Sequence, residues 1–557
     1  MSLLAATDLR LHPSAADYLL VAFYFVLVLA IGIAARRSIS SSLDFLLSGR
    51  ALPAWVTGLA FISANLGALE LIGMAANGAQ YGVPTAHYYW VGAIPAMVFL
   101  GLVMMPFYYG SKVRSVPEFL LRRFNKTTQR VNAVSFAVAS VFIAGVNLYA
   151  LGLVLEALLG WKLQVAIPIA AAVVLAYTFF GGLSAAIYNE VLQFFVIMAL
   201  LIPLTVAGLN RVGGWDGLTD KVRGGAEQTS AWPGSQLTGI DSSTWSVIGI
   251  VFGLGFVLSF GYWTTNFAEV QRALSARSMS AARRTPLIGA FPKALIPLVI
   301  VIPGMVAAVL VPGLQALKDG QTSDVTYNNA LPLLMKEVLP NGVLGVAIAG
   351  LLASFMAGMA ANVSSFNTVF TYDLWQDWVR PGRPDGYYLR VARTVTVVGC
   401  VLAIGTASLA STSQNLMDYV QALFSFFNAP LFATFLLGLF WKRMTGTAGW
   451  TGLIAGTASA VLVDALSRSG AISLAGQGAS FVGASAAFVV DIAVSVAVSL
   501  ATAPRPEEEL RGLVWSLTPR HERVEQAGEA DRGWYRSPAL LGGGVLALTA
   551  VMYGLFW

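Results

Sequence analysis

Ser63-Ala64-Asn65-Leu66-Gly67-Ala68-Leu69-Glu70-Leu71-Ile72-Gly73 stands inside an apolar run that extends from residue 54 to residue 78. A plain membrane span would be aliphatic at that depth. Here small and polar residues hold the centre, and Glu70 adds an ionisable group. In lipid every backbone N–H and C=O must be satisfied, so a helix unwinds at mid-membrane only where its freed carbonyls line a cavity or bind an ion. A lone charge at that depth costs about 2 to 3 kcal/mol on insertion scales. The stretch predicts a broken helix at a binding site. Close helix packing through small residues is the bland alternative, and it leaves Glu70 unexplained.

The rest of the chain gives that helix its setting. Of 557 residues, 57% are hydrophobic and 11% charged, against about 25% charged in a soluble domain, so most of the surface must face lipid. A spanning helix needs about 20 mostly apolar residues to cross about 30 Å of hydrocarbon. Such runs occur at 16–35, 54–78, 86–109, 130–159, 162–181, 185–208, 245–267, 285–312, 341–372, 388–410, 414–440, 446–466, 478–503 and 538–557. The expected fold is an all-α polytopic membrane protein of about 14 transmembrane helices. The first run lacks a basic leader and a small-residue cleavage site, so it reads as an uncleaved helix.

Basic residues gather in alternate loops: Arg36, Arg37 and Arg50; Lys112 to Arg130; Arg272 to Arg284; Arg380 to Arg393; Lys442 and Arg443; Arg505 to Arg536. The positive-inside rule makes these loops cytoplasmic, and an even span count then places both termini outside. This topogenic role accounts for the net charge of +6, and the spread over short loops gives nucleic acid no patch to bind. The single Cys400 and the three histidines, His12, His87 and His521, offer neither a disulfide framework nor a metal cluster. No zinc-protease, serine-hydrolase or phosphate-loop motif occurs, so an enzyme is not expected.

Further ionisable residues inside apolar runs are Glu190, Lys293, Asp373, Asp418, Asp464 and Asp491. Each is a functional candidate by its cost. Lys293, early in its helix, has a stem long enough to snorkel to the interface. Asp373 reads as interfacial, and Asp464 and Asp491 as structural, paired with polar groups of neighbouring helices.

Several motifs occur together and in order: Leu43-Asp44-Phe45-Leu46-Leu47-Ser48-Gly49-Arg50; Ser115-Val116-Pro117-Glu118-Phe119; Gly181-Gly182-Leu183-Ser184-Ala185 with Tyr188-Asn189-Glu190-Val191-Leu192-Gln193; Gln271-Arg272-Ala273-Leu274; Phe370-Thr371-Tyr372-Asp373; and Gly438-Leu439-Phe440-Trp441-Lys442-Arg443. In this order they resemble the sodium/solute symporter family, sodium/glucose cotransporter type, from about Asp44 to Arg443. The resemblance implies a LeuT-type core of two inverted five-helix repeats. They would occupy 54–208 and 245–440, after an extra helix and cytoplasmic loop at 1–53. An external loop at 209–244 would separate them. Three extra helices at 441–557, with a cytoplasmic loop at 504–537, would follow.

Position by position, the resemblance places Asn65, Tyr262, Trp263, Lys293 and Gln421 at a sugar site, where an aromatic face suits the C–H surface of a pyranose. Two positions depart from it. Glu70 stands where the sugar transporters have Gln or His, and Tyr89 where they have Glu, as if a carboxylate had crossed the cavity. Phe267 also replaces a glutamine.

For the coupling ion, the resemblance implies a sodium site made of the Ser63 and Leu66 carbonyls with hydroxyls at Ser354, Ala357 and Gly358. The last two positions lack a side-chain oxygen here, unless a register slip brings in Ser364 or Ser365. The expected function is therefore secondary active symport of a small polar solute, a sugar or sugar derivative, by alternating access. Sodium is the coupling ion and no cofactor is needed. The alternative is proton coupling or uniport, with Glu70 or Glu190 as proton carrier. A membrane-embedded sensor on the same fold is the competing class, for which only the 504–537 segment could signal. The expected location is the plasma membrane, a bacterial inner membrane, multi-pass; oligomeric state stays open.

Overall fold

The computed structural model describes residues 13–35, 41–240, 242–323, 325–411, 416–472, 474, 477–519, 533 and 536–557. Arg36, Arg37, His12, His521 and most of the 504–537 loop beyond residue 519 lie outside the described residues.

Each of the fourteen apolar runs is occupied by helix. Twelve helices are long and apolar enough to cross a membrane, or thirteen when the bent pair Ala54–Asn65 and Leu69–Tyr81 is one span. The remaining run is the shorter apolar helix Leu163–Phe179. It is cut off where Gly182 takes φ 53°, a left-handed backbone that glycine adopts at no steric cost. Space demands glycine there as well, since a Cβ would lie 2.6 Å from the carbonyl oxygen of Phe45.

Helix ends differ from the hydropathy reading for a local reason. Lys126–Leu159 starts four residues before its apolar run because the Asn125 side chain caps it, accepting from the Thr128 N–H. Met279–Leu310 starts six residues early behind Ser278, which accepts from Ala281. Caps satisfy the free N–H groups of a first turn whatever its polarity. Asp373 is likewise not interfacial: its helix continues to Val379, and the side chain is buried and accepts from Gln129 Nε2 at 2.9 Å. Asp491 does pair across helices, accepting from Thr434 Oγ1 at 2.8 Å. Asp464 instead pairs with Arg468 on its own helix, a half-exposed ion pair.

The helix over Val343–Val379 is the most enclosed, 89% buried through its most apolar window. It packs against Lys126–Leu159 and the Leu163–Val212 helix. Both halves of the bent pair pack on Met279–Leu310. Gly78 and Gly304 allow that approach, because a Cβ would lie 2.5 Å from the Val301 carbonyl in one case and 2.2 Å from the Ala75 carbonyl in the other. Lys293 is thereby brought to the break.

Three of the basic segments, around Arg123, Trp441–Met444 and Arg505, meet one another. Arg123 is fully buried and donates to three backbone carbonyls, Gly438 at 2.6 Å, Trp441 at 3.1 Å and Met444 at 3.2 Å. Arg505 in turn donates to the carbonyls of Arg122, Arg123 and Phe124. Arg123 thus clamps the end of the Leu416–Phe440 helix to the Val116–Arg123 turn. Charged hydrogen bonds contribute about 1.5–3 kcal/mol each, and buried carbonyls left bare cost more than a neutral loss. We expect Arg123→Ala to lose about 3 kcal/mol or more of stability, read as a fall in Tm in detergent; an unchanged Tm would dismiss the clamp.

Candidate functional site

The bent pair breaks at Leu66, where ψ turns to 46°, and the two halves diverge by 57°. Three of the freed backbone groups find a partner from a different helix or from the turn itself. The Gly67 N–H closes a tight turn on the Asn65 carbonyl at 2.8 Å. The Ala68 N–H donates to Asn147 Oδ1 at 2.8 Å, and the Leu66 carbonyl accepts from Ser354 Oγ. A second break falls at Asn266, between Ser243–Thr265 and the short helix Phe267–Leu274. The first span of each five-span group is therefore the interrupted one, as inverted-repeat transporters place their sites.

Beside the first break lies a cavity of about 80 Å³ lined by Asn65, Glu70, Tyr89, Tyr262, Trp263, Lys293 and Gln421. All seven residues expected at the solute site thus meet on one cavity. Lys293 is its centre. Its Nζ donates to Glu70 at 2.6 Å and to Asn65 Oδ1 at 2.5 Å, and lies 4.7 Å from the Tyr89 ring centroid and 5.3 Å from that of Trp263. The side chain is 2% exposed, so it points into the bundle instead of snorkelling. Ammonium, carboxylate and two electron-rich faces compensate one another, which is what a charge buried this deeply requires.

Asn65 also donates through Nδ2 to the Tyr262 hydroxyl at 3.0 Å, and that hydroxyl donates to Glu269 Oε1 at 2.7 Å. The Tyr89 hydroxyl is buried beside Glu70. Gln421 lines the cavity and donates through Nε2 to Met417 Sδ at 3.7 Å. The chemistry assembled here is a set of donors and acceptors flanked by aromatic faces, with no nucleophile–base pair. It can hold a polar ring.

The expected cation positions separate into those that offer oxygen and those that do not. Ser63 is buried, its Oγ without a partner among the described residues, and Ser354 Oγ touches the Leu66 carbonyl. Ala357 and Gly358 are buried and offer no side-chain oxygen. The helix shows no register slip that would recruit Ser365, whose Oγ returns to the Asn362 carbonyl at 3.0 Å. Asn147 fills the notch instead. A Cβ on Gly358 would lie 2.3 Å from Asn147 Oδ1, and one on Gly67 2.5 Å from it.

Glu190 lies apart from the cavity in a fully buried pair with Arg272, whose Nη1 also caps the Ala268 carbonyl at 2.7 Å. This pair ties the Phe267–Leu274 helix to the Gly182–Val212 span. Two further residues belong to the site, Asn147 and Glu269. Asn147 was visible as the one amide in Ala144-Gly145-Val146-Asn147-Leu148-Tyr149. Glu269 sits outside any apolar run, and only the fold-back at Asn266 buries it. It is 2% exposed, and the Tyr262 hydroxyl donates to its Oε1.

The chain is similar to known proteins over most of its length. The sequence model of the Sodium:solute symporter family matches residues 45–456. A sodium/glucose cotransporter of Vibrio parahaemolyticus is 30% identical over 456 residues, 79% of this chain and 83% of that protein. Sodium/glucose cotransporter 4 of Homo sapiens is 30% identical over 551 residues, 92% of this chain and 79% of that one. A Na+-coupled sialic acid symporter, solved in a substrate-bound outward-open state, superposes with a TM-score of 0.74 at 20% identity, over 88% of this chain and 98% of that one. Its fold is the LeuT-type fold.

Proposed function

This chain belongs to the sodium:solute symporter family, and on that premise we propose that it carries a sugar or sugar derivative across the plasma membrane by alternating access, driven by sodium. The family is one of sodium-coupled transporters, not of enzymes. The observation that carries the solute reading is the cavity at the break. Asn65, Glu70, Lys293 and Gln421 offer both donors and acceptors around it, and Tyr89, Tyr262 and Trp263 supply faces for a ring. Sugar hydroxyls both donate and accept, so they can engage Glu70 and Lys293 without a net charge of their own. The sodium/glucose cotransporters to which the chain is similar support the same class.

At about 80 Å³ the cavity is well below the roughly 300–1,000 Å³ of open ligand clefts. Its aromatics must part to admit a solute, and that movement is the first step of alternating access. The two inverted repeats, 54–208 and 245–440, provide the bodies that rock about the site, with interrupted spans where each begins. In this reading the basic loops face the cytoplasm and both termini face outward.

For sodium, the carbonyls of Ser63 and Leu66 and the Ser354 hydroxyl remain, and Asn147 Oδ1 is a further hard oxygen beside Gly67 and Gly358. That set offers a sodium ion four oxygens, of which one is a hydroxyl. Purified protein in proteoliposomes should accumulate labelled sugar when a sodium gradient is imposed at clamped pH. Equal uptake with potassium in place of sodium would overturn sodium coupling. A thermal-shift screen of sugars, sugar acids, amino sugars and polyols, with and without sodium, identifies the solute; a flat response to all of them would overturn the solute class.

A further inference from the structure

Glu269 differs from the other two carboxylates around the break. Glu70 meets Lys293 and Glu190 meets Arg272, whereas Glu269 has the Tyr262 hydroxyl on Oε1 and no hydrogen-bond partner on Oε2 among the described residues. It is 2% exposed. We propose that Glu269 takes up a proton when the solute binds and releases it when the site closes, so that solute binding is linked to pH through the Tyr262 hydroxyl.

The linkage follows from a continuous chain of contacts. Lys293 donates to Asn65, Asn65 to Tyr262, and Tyr262 to Glu269. Tyr262 therefore lines the cavity and also supplies the one hydrogen bond that Glu269 receives. A solute that enters must move the ring or engage its hydroxyl. A solute that moves the ring, or that accepts the hydroxyl proton, withdraws the donor and leaves a buried carboxylate without its hydrogen bond. Burying such a charge unpaired costs several kcal/mol, so the group neutralises instead, taking a proton from water onto a carboxylate oxygen.

The charges facing Glu269 allow this. Arg272 on its own helix and Lys293 from Met279–Leu310 hold the charged form, Glu190 from Gly182–Val212 opposes it, and Tyr262 donates from Ser243–Thr265. The packed segments Ala54–Asn65 and Val343–Val369 contain no ionisable side chain. Asp44, on the neighbouring Ser42–Leu47 helix, accepts from the Ser41 N–H in its own capping box, and the Tyr108 hydroxyl donates to the Thr264 carbonyl.

The sign is fixed by reciprocity. Solute binding raises the proton affinity of Glu269, so protons raise solute affinity, and the gain is lost as pH rises through the raised value. The inference rests on the protein binding a solute, and not on which ion drives transport. The test is solute Kd by isothermal titration at pH values from about 6 to about 8, using the sugar that shifts Tm most. Fully coupled uptake of one proton changes Kd by up to about tenfold per pH unit, tighter at low pH. Glu269→Gln should flatten the slope, and so should Tyr262→Phe, which keeps the carboxylate but removes the donor that the solute displaces.

Because either variant could fail to fold, the wild-type protein supplies a second measurement. Solute added in weak buffer with a pH dye should remove protons from solution. No proton uptake, or a Glu269→Gln slope equal to wild type, overturns the inference while leaving the transport reading intact. Failure of every sugar to bind would overturn both.

Discussion

Lys293→Ala should abolish sugar binding and lower stability by about 3–5 kcal/mol, the cost of leaving a buried carboxylate without its partner. The size follows from what the ammonium satisfies at once: Glu70 Oε1, Asn65 Oδ1 and the faces of Tyr89 and Trp263. Glu70 is itself nearly buried, its side chain 6% exposed. The stability term and the binding term can be separated. Lys293→Met combined with Glu70→Leu removes both charges and retains volume, and replacing a buried ion pair by apolar groups is often neutral or stabilising. The double variant should therefore recover Tm and still bind no sugar, whereas Glu70→Gln alone should lose stability. The measurements are thermal unfolding in detergent and sugar binding on the same samples. Equal Tm values for Lys293→Ala and the double variant would show that the pair is not the buried charge pair described, and retained sugar affinity in either would remove Lys293 from the site.

The broken helix could be read from sequence because polar residues at mid-membrane have few bland explanations. Asn65 and Glu70 were located by that argument alone. Lys293, Tyr262, Trp263, Gln421 and Tyr89 lie on other spans, and nothing in local sequence says which spans face each other; their convergence was expected only from the ordered family motifs. Span positions followed from hydropathy, while their ends did not, because caps such as Asn125 and Ser278 extend helices into polar sequence. Two members of the site escaped for opposite reasons. Asn147 resembles an ordinary packing amide until the break hands it the Ala68 N–H. Glu269 falls in a segment that hydropathy assigns to a loop, and its burial arises from tertiary structure. The missing oxygens at Ala357 and Gly358 were visible in the sequence, but what fills their place was not.

Gly358→Ser, which would return a hydroxyl to the cation notch, should fail alone and succeed only when Asn147 is shortened. A Cβ on Gly358 would stand 2.3 Å from Asn147 Oδ1, a contact that cannot form without displacing the amide. The amide is held at one end by the Ala68 N–H and at the other by its own donation to the Ile143 carbonyl at 3.0 Å. Overpacking of this kind costs about 1–3 kcal/mol, and a lost acceptor at the break adds about 1–3 kcal/mol. The single variant should lose several degrees of Tm. Gly358→Ser with Asn147→Ala removes the clash. Because residues 67, 147 and 358 all line the solute cavity, water can reach the freed Ala68 N–H. The double variant should also respond more to sodium than wild type does, since a hydroxyl is regained beside the Leu66 carbonyl and Ser354. Tenfold tighter sodium binding would add about 1.4 kcal/mol of stabilisation at saturating salt, readable as a larger sodium-induced Tm shift against a potassium control. No recovery of Tm in the double variant would mean that Asn147 is not what excludes a side chain at Gly358. Recovery without a larger sodium response would place the cation elsewhere than at the first break.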